Sequence, residues 1–268
     1  MKKYFLLGLM GSAVFFNSCS DTVENETITD PVQQRTLLSK ITTVYYDNPA
    51  SPQTTVSTLE YNSQGQLIKT LSEGRSSINE YDSSGKPVKT NYYKTDGTLE
   101  YYALYTYNND QLQNVKAIYS DTNLNRTINY TYSNGKVATS TLCQTANCSN
   151  PSISSYTYNG DNITVETSEL GGTITFFTKN EYLYDNQLNP YTFTNKYFRI
   201  MMGGAYALSK NNYTSEKISF KDSAGNWVPN QNVVYEIQYN SAQLPTQVIG
   251  KSLSGANYVK YNYEYITQ

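Results

Sequence analysis

Histidine is missing from this chain, and its 268 residues include one tryptophan (Trp227) and three cysteines (Cys19, Cys143, Cys148). Without an imidazole, Ser-His-Asp and Cys-His catalysis and His-ligated zinc are excluded, as is the commonest general base near neutral pH. A basic patch is missing as well. Twenty Lys and Arg are scattered against 22 Asp and Glu, so binding to nucleic acid lacks its electrostatic driving force. The one long apolar run, residues 4–16, is shorter than the roughly 20 residues that span a bilayer. No Pro/Gly/Ser-rich stretch interrupts the remainder, and residues 37–268 read as a single domain.

The apolar run follows Lys2 and Lys3 and has the form of an export signal over residues 1–18. It ends in Phe16-Asn17-Ser18-Cys19, which resembles the lipobox of bacterial lipoproteins. The resemblance implies that Cys19 is lipidated and becomes the first residue of the mature chain. The alternative is ordinary cleavage nearby with Cys19 free, and Phe16 departs from the usual Leu three positions before the Cys. Residues 19–36 read as a flexible acidic tether, opening Ser20-Asp21-Thr22-Val23-Glu24-Asn25-Glu26, with few apolar residues to drive folding. That segment is similar to the acidic signal that places Bacteroidota lipoproteins on the outer face of the outer membrane; the periplasmic face is the alternative. Without Lys2 and Lys3, the mature chain carries a net charge near −4.

What the chain has in abundance is tyrosine, 28 in all, placed in a recurring phrase: Tyr, Asn or Asp, a turn, Gly, an apolar residue. It reads Tyr61-Asn62-Ser63-Gln64-Gly65-Gln66-Leu67 and then Tyr81-Asp82-Ser83-Ser84-Gly85, with looser copies from Tyr107, Tyr132, Tyr158, Tyr184 and Tyr239. Most steps are 25 or 26 residues; the last, 55, reads as two periods. Such a period marks an array of one small unit, here a β-hairpin. Ile128, Tyr130 and Tyr132 alternate with Asn129 and Thr131. Val233, Tyr235, Ile237 and Tyr239 alternate with Val234, Glu236 and Gln238, and Val259, Tyr261, Tyr263 and Tyr265 alternate likewise near the C-terminus. Ile163, Val165 and Thr167 are read the same way. This is period-two patterning with one aromatic-aliphatic face and one polar face. At the turns, Asp82 and Asp222 are placed to bond backbone amides, Gly85 and Gly225 to take positive φ, and Asn134-Gly135 to form a two-residue hairpin.

The expected fold is therefore all-β: an antiparallel meander of about eight β-hairpins, curled or closed into a soluble barrel, with a flat solenoid of hairpins as the alternative. The segment 197–208 is apolar without clean alternation. It is expected to form a short helix or packed loop that plugs or covers the apolar face, or else to insert into a membrane or partner. Cys143 and Cys148 are expected to form a local disulfide in an oxidising envelope, with two free thiols as the alternative.

The Tyr-Asn/Asp-x-x-Gly-x-Leu phrase resembles the YD repeat of Rhs-type proteins, which form β-sheet shells, though the spacing here is nearer 26 than about 20. The lipobox, the hairpin array and Tyr184-Asp185-Asn186-Gln187-Leu188-Asn189-Pro190 followed by Ser209-Lys210-Asn211-Asn212 resemble Bacteroidota lipoproteins of an uncharacterised family with a porin-like fold. That resemblance implies a barrel on a lipid anchor and brings no catalytic residue with it.

No catalytic constellation stands out. Glu60, Glu80, Glu100, Glu166, Glu169, Glu181, Glu216 and Glu236 lie on strands, where a solvated polar face accounts for them. The Asp-x-x-Gly turns lack the crowded acidic ligands of a calcium loop. No metal or cofactor is expected. The weak binding candidate is Trp227 with Asn226 and Asn230, which could stack on a sugar ring and bond its hydroxyls; the alternative is that Trp227 packs over the barrel rim. The expected function is a non-catalytic, lipid-anchored envelope protein that binds or scaffolds, its partner a glycan, another outer-membrane protein, or a host or neighbour surface. A carrier of an apolar ligand inside the barrel and a polysaccharide hydrolase are the alternatives.

Overall fold

The computed structural model describes residues 34–171 and 175–268. The lipidation candidate Cys19 and all but the last residues of the tether lie outside them. The strands are β1 (Thr36–Tyr45), β2 (Gln53–Tyr61), β3 (Leu67–Ser72), β4 (Arg75–Tyr81), β5 (Pro87–Tyr93), β6 (Leu99–Asn108), β7 (Gln111–Tyr119) and β8 (Arg126–Ser133). They continue as β9 (Lys136–Cys143), β10 (Ser152–Asn159), β11 (Asn162–Leu170), β12 (Phe176–Leu188), β13 (Asn211–Lys221), β14 (Trp227–Tyr239), β15 (Pro245–Ser252) and β16 (Asn257–Thr267). Each pairs antiparallel with the next, and β16 pairs back onto β1 over Thr36↔Thr267 to Tyr45↔Val259, so the sheet is a closed barrel. Closure removes every free edge, which a flat solenoid could not. Thr36, read from sequence as the last tether residue, is already in β1.

Odd strands run away from the end where the chain enters, and even strands run back. Arg35 and Gln268 exchange backbone hydrogen bonds of 2.7 and 3.0 Å at that end. The turns there are the recurring phrases. Asp82 accepts from the amides of Ser84 and Lys86, both at 2.9 Å, and Gly85 takes φ 80°. Asn62 does the same for Gln64 and Gln66, and Asn240 for Ala242 and Leu244. Asn134 and Gly135, φ 51° and 77°, form the tight two-residue hairpin.

On β2, β4, β6, β8, β10 and β14 the repeat tyrosine stands at or next to the end of the strand. Just before it the ladder shifts by one residue, a bulge, and the tyrosine then faces the apolar residue that follows the turn: Tyr61↔Leu67, Tyr81↔Pro87, Tyr107↔Leu112, Tyr132↔Val137, Tyr158↔Ile163 and Tyr239↔Pro245. Those apolar residues are all buried. The aromatic-aliphatic face therefore points into the lumen.

Two expectations are corrected. The 55-residue step is not two periods. It is one hairpin, β13 and β14, with an inserted segment at 189–210. And the bulge in the β10–β11 ladder, where Thr157 pairs with Val165 but Tyr158 with Ile163, turns Val165 and Thr167 outward and Glu166 inward, so the pattern of Ile163 does not continue along the strand.

The inserted segment crosses the lumen. It consists of a 3-10 turn (Pro190–Phe193), helix α1 (Lys196–Met202) and helix α2 (Gly204–Leu208). The expected helix is thus two, broken at Gly203, which caps one and opens the other at φ 65°. The α1 residues Tyr197 and Phe198 are buried, Phe198 edge-on to Tyr81 and Tyr105 and Tyr197 to Tyr107. Phe193 packs edge-on to Tyr265 across the barrel. A sixteen-strand barrel is too wide for its own side chains to fill. Tyrosines, the largest common β-formers, and a folded plug fill it here. The segment closes one end; at the opposite end, among the described residues, lie only connections between strands.

Candidate functional site

The lumen is the site the fold builds. At the plugged end the β3–β4, β5–β6, β7–β8, β11–β12, β15–β16 and β1–β2 ladders stop short of the barrel rim. This leaves carbonyls without a ladder donor, and buried carbonyls need one. The repeat tyrosines supply it. Tyr81 donates to the Leu67 carbonyl (2.7 Å), Tyr107 to Pro87 (2.6 Å), Tyr132 to Leu112 (2.8 Å), Tyr184 to Ile163 (2.5 Å), Tyr265 to Pro245 (2.8 Å) and Tyr61 to Leu38 (2.7 Å). Each hydroxyl clasps one repeat to the one before it. Burial pushes these phenols above their usual pKa, so they stay protonated donors.

The plug is tied down by polar contacts. Arg199 donates to the Ala207, Leu208 and Ser209 carbonyls at 2.7–3.2 Å. Lys196 and Tyr197 both bond Asp110 and hold its carboxyl well below the usual range. On the inner side, the amide of Ala205 donates to Glu166 (3.3 Å). Glu166 also accepts from Tyr182 (3.4 Å), Asn180 joins Tyr182 to Glu216 (3.2 and 3.1 Å), and Tyr235 donates to Glu216 (3.0 Å). Both glutamates sit inside the barrel, where the sequence reading had placed them on a solvated face. Burial raises both pKa values. The bulge in β11 is what turns Glu166 inward, and nothing in the local pattern announces it.

Besides a cavity of about 370 Å³ beside Lys136, Asp161 and Lys210, two cavities flank the plug. One, of about 290 Å³, is walled by Tyr45, Tyr191, Tyr206, Tyr213, Tyr261 and Tyr263 with Asn189, Asn212 and Thr43. The other, of about 330 Å³, lies between β1–β5 and the plug residues Phe198, Met201 and Met202. It shares Thr70, Ser77 and Tyr92 with a third cavity of about 280 Å³ near the open end, which Arg75, Glu100 and Tyr101 also line. The two form one continuous groove. Along it Tyr92, Tyr101 and Tyr119 stack nearly parallel, with ring centres 4.3 and 4.5 Å apart. Arg126 lies over Tyr119 at 6.0 Å, and Arg75 is paired with Glu100. Neither Glu166 nor Glu216 lines any of these cavities.

The residues singled out from sequence lie elsewhere. Trp227 stands on the outer wall, half-buried, its ring covered by Lys179 (5.4 Å) and Lys221 (5.1 Å). Asn226 and Asn230 are exposed and do not converge with it on a cavity described above. Cys143 and Cys148 are bonded to each other in the β9–β10 connection at the open end. The tyrosine stack went unrecognised because its members come from three strands, and only the strand register brings them into line.

No protein-family model matches the chain, and no curated protein sequence matches it. Solved structures do resemble it. A porin-like protein from Bacteroides uniformis superposes with a TM-score of 0.56 at 14% identity, over 85% of this chain and 96% of its own. A porin-like protein from Bacteroides vulgatus does so with a TM-score of 0.49 at 11% identity, over 86% of this chain and 99% of its own. The first of these likenesses establishes a shared barrel fold.

Proposed function

We propose that the chain is a non-catalytic, lipid-anchored envelope protein that displays its barrel in water, outside the membrane, and captures a glycan at the open end of the lumen. The observation that carries this reading is polarity of placement. The chain enters the barrel at the plugged end, so the open mouth lies at the end opposite to where the tether joins.

The outer wall supports a barrel that water solvates. Ion pairs stud it: Lys40–Glu264 (2.8 Å), Lys69–Glu60 (3.3 Å), Lys251–Glu236 (2.6 Å) and Glu181–Lys217 (3.9 Å) across strands, and Glu181–Lys179 (3.1 Å) along one. Such exposed pairs stabilise little, about 0–1 kcal/mol each. A lipid-facing wall, however, would pay about 2–4 kcal/mol for each Lys or Arg near the midplane. The tyrosine-walled cavity with Thr43, Asn189 and Asn212 suits a polyhydroxylated ligand, whereas the cavity under the plug, with Ile41, Leu59, Leu67, Phe198, Met201 and Met202, is mainly apolar. A hydrolase has one observation in its favour, the paired Glu166 and Glu216. Both are engaged by Tyr182, Tyr235 and the plug amide and are remote from the groove, so they serve the plug.

Two experiments test the reading. Protease shaving of intact cells, with a Cys19→Ala control, is expected to digest the wild-type barrel; protection until the outer membrane is opened overturns surface display. The purified full chain is expected to co-sediment with insoluble envelope polysaccharide, and failure with every polysaccharide fraction overturns glycan capture.

A further inference from the structure

The strand register sets six inward residues in one row across the wall, from β7 to β2: Tyr119, Tyr101, Tyr92, Ser77, Thr70 and Leu59. Neighbouring strands lie about 4.8 Å apart. That spacing puts rings on consecutive strands in face-to-face contact, and the three tyrosines stack at 4.3 and 4.5 Å, tilted by only 14° and 22°. At Ser77 the ladder of rings stops. The next two positions carry short hydroxylated side chains, and the face of Tyr92 toward them has no ring against it. Both cavities of the groove meet at Tyr92, Ser77 and Thr70. The row thus contains an empty place, one strand spacing beyond Tyr92, of the width of a ring.

We propose that this place is a subsite for one neutral pyranose of a glycan, stacked on Tyr92 as the next rung of the ladder. The proposal rests on the glycan-capture reading and assigns its site. The face of a tyrosine ring is electron-rich and attracts the weakly positive C–H face of a sugar. The far end of the stack is already covered by the Arg126 guanidinium, so Tyr92 offers the free face. Ser77 and Thr70 bring hydroxyls to the ring edge. The Arg75–Glu100 pair at the mouth supplies paired donors and acceptors to exocyclic hydroxyls while cancelling net charge, which favours a neutral sugar over a uronic acid. The floor is apolar: Phe198, Met201 and Met202 of the plug line it. The polar groups beneath are already paired among themselves, Asn79 to the Leu67 carbonyl (2.8 Å) and Thr90 to Asn79 (2.7 Å), so specificity comes from the rim.

The test is saturation-transfer NMR and titration of the purified full chain with glucose, galactose, mannose, N-acetylglucosamine and their disaccharides, with adenosine as a planar aromatic control. One or more of the sugars is expected to bind with millimolar affinity, contacting through one C–H face. Ser77→Tyr, which builds the missing rung from the protein itself, is expected to weaken binding at least about 10-fold, as is Tyr92→Leu, which removes the platform at similar volume. Trp227→Ala, on the outer wall, is expected to leave it unchanged. Sugar binding that survives both Ser77→Tyr and Tyr92→Leu overturns the subsite and leaves glycan capture standing. Binding of adenosine but of no sugar overturns the sugar assignment. Absence of binding to any member of the panel overturns the subsite, and capture then stands or falls on the polysaccharide co-sedimentation.

Discussion

Replacing Tyr107 by Phe isolates what one tyrosine clasp contributes. The ring stays, and with it the edge-on contact with Tyr197 and the Lys86 ammonium over its face. Only the hydroxyl is lost, and with it the 2.6 Å bond to the Pro87 carbonyl. Pro87 is fully buried and lies beyond the last β5–β6 ladder pair, Lys89↔Leu104, so its carbonyl loses the donor the clasp gave it. A buried acceptor left unpaired costs about 1–3 kcal/mol, equivalent to roughly 2–12 °C in Tm for a domain of this size. The series carries its own controls. At Tyr81 the Leu67 carbonyl keeps a second donor, Asn79 Nδ2 at 2.8 Å, so Tyr81→Phe is expected to cost less, about 0.5–1 kcal/mol. Tyr158 occupies the same place in its repeat, but among the described residues its hydroxyl has no carbonyl partner, and Tyr158→Phe is expected to be neutral. The assay is urea unfolding with thermal melts, m unchanged throughout. Equal losses at Tyr107 and Tyr158 would refute the reasoning, because the cost would then belong to the phenol and not to the bond.

Glu166→Gln and Glu216→Gln test the buried pair. Burial raises both pKa values, so the folded state is favoured when they are protonated. Stability from this source is full below the unfolded value near pH 4.5 and falls as pH rises toward the raised folded values. Each variant is expected to raise Tm relative to wild type at pH 8 and to match it near pH 4; a difference independent of pH argues against burial of the charge. Gly250→Ala places a methyl 2.8 Å from the Tyr235 ring and 3.0 Å from Val259 and is expected to destabilise by about 1–3 kcal/mol, measured by urea unfolding. Gly203→Ala forces a side chain into φ 65° between the plug helices, with its Cβ 3.2 Å from the Tyr156 hydroxyl. It is expected to cost about 1–3 kcal/mol and to speed hydrogen exchange in 196–208 more than in the barrel wall.

Much of this molecule is written locally. Period-two alternation around Tyr130 and Tyr235, the Asp82 and Asn134 turns and the return of the tyrosine phrase each depend on residues within a few positions of one another. A reader of the sequence can therefore count hairpins and name the residues that share the aromatic face, though not the side to which it points. The apolar, non-alternating stretch at 197–208 likewise marks the plug, because it has the composition of a core and the period of neither a strand nor a surface helix.

What tertiary structure alone decided is how those units add up. A one-residue bulge reverses every side chain beyond it, so the inward turn of Glu166 depends on how β10 pairs with β11. The 55-residue step looked like two periods because an inserted plug and long strands happen to total nearly twice the repeat. The clasp hydroxyls act on carbonyls about 20 residues away that the ladders leave unpaired, and the ring stack ending at Tyr92 joins three strands. By itself the sequence determined the repeating hairpin, through local backbone and side-chain preferences. Closure, the direction of the tyrosine hydroxyls and the empty rung beside Tyr92 were decided by register, which depends on which residues of distant strands come to lie opposite one another.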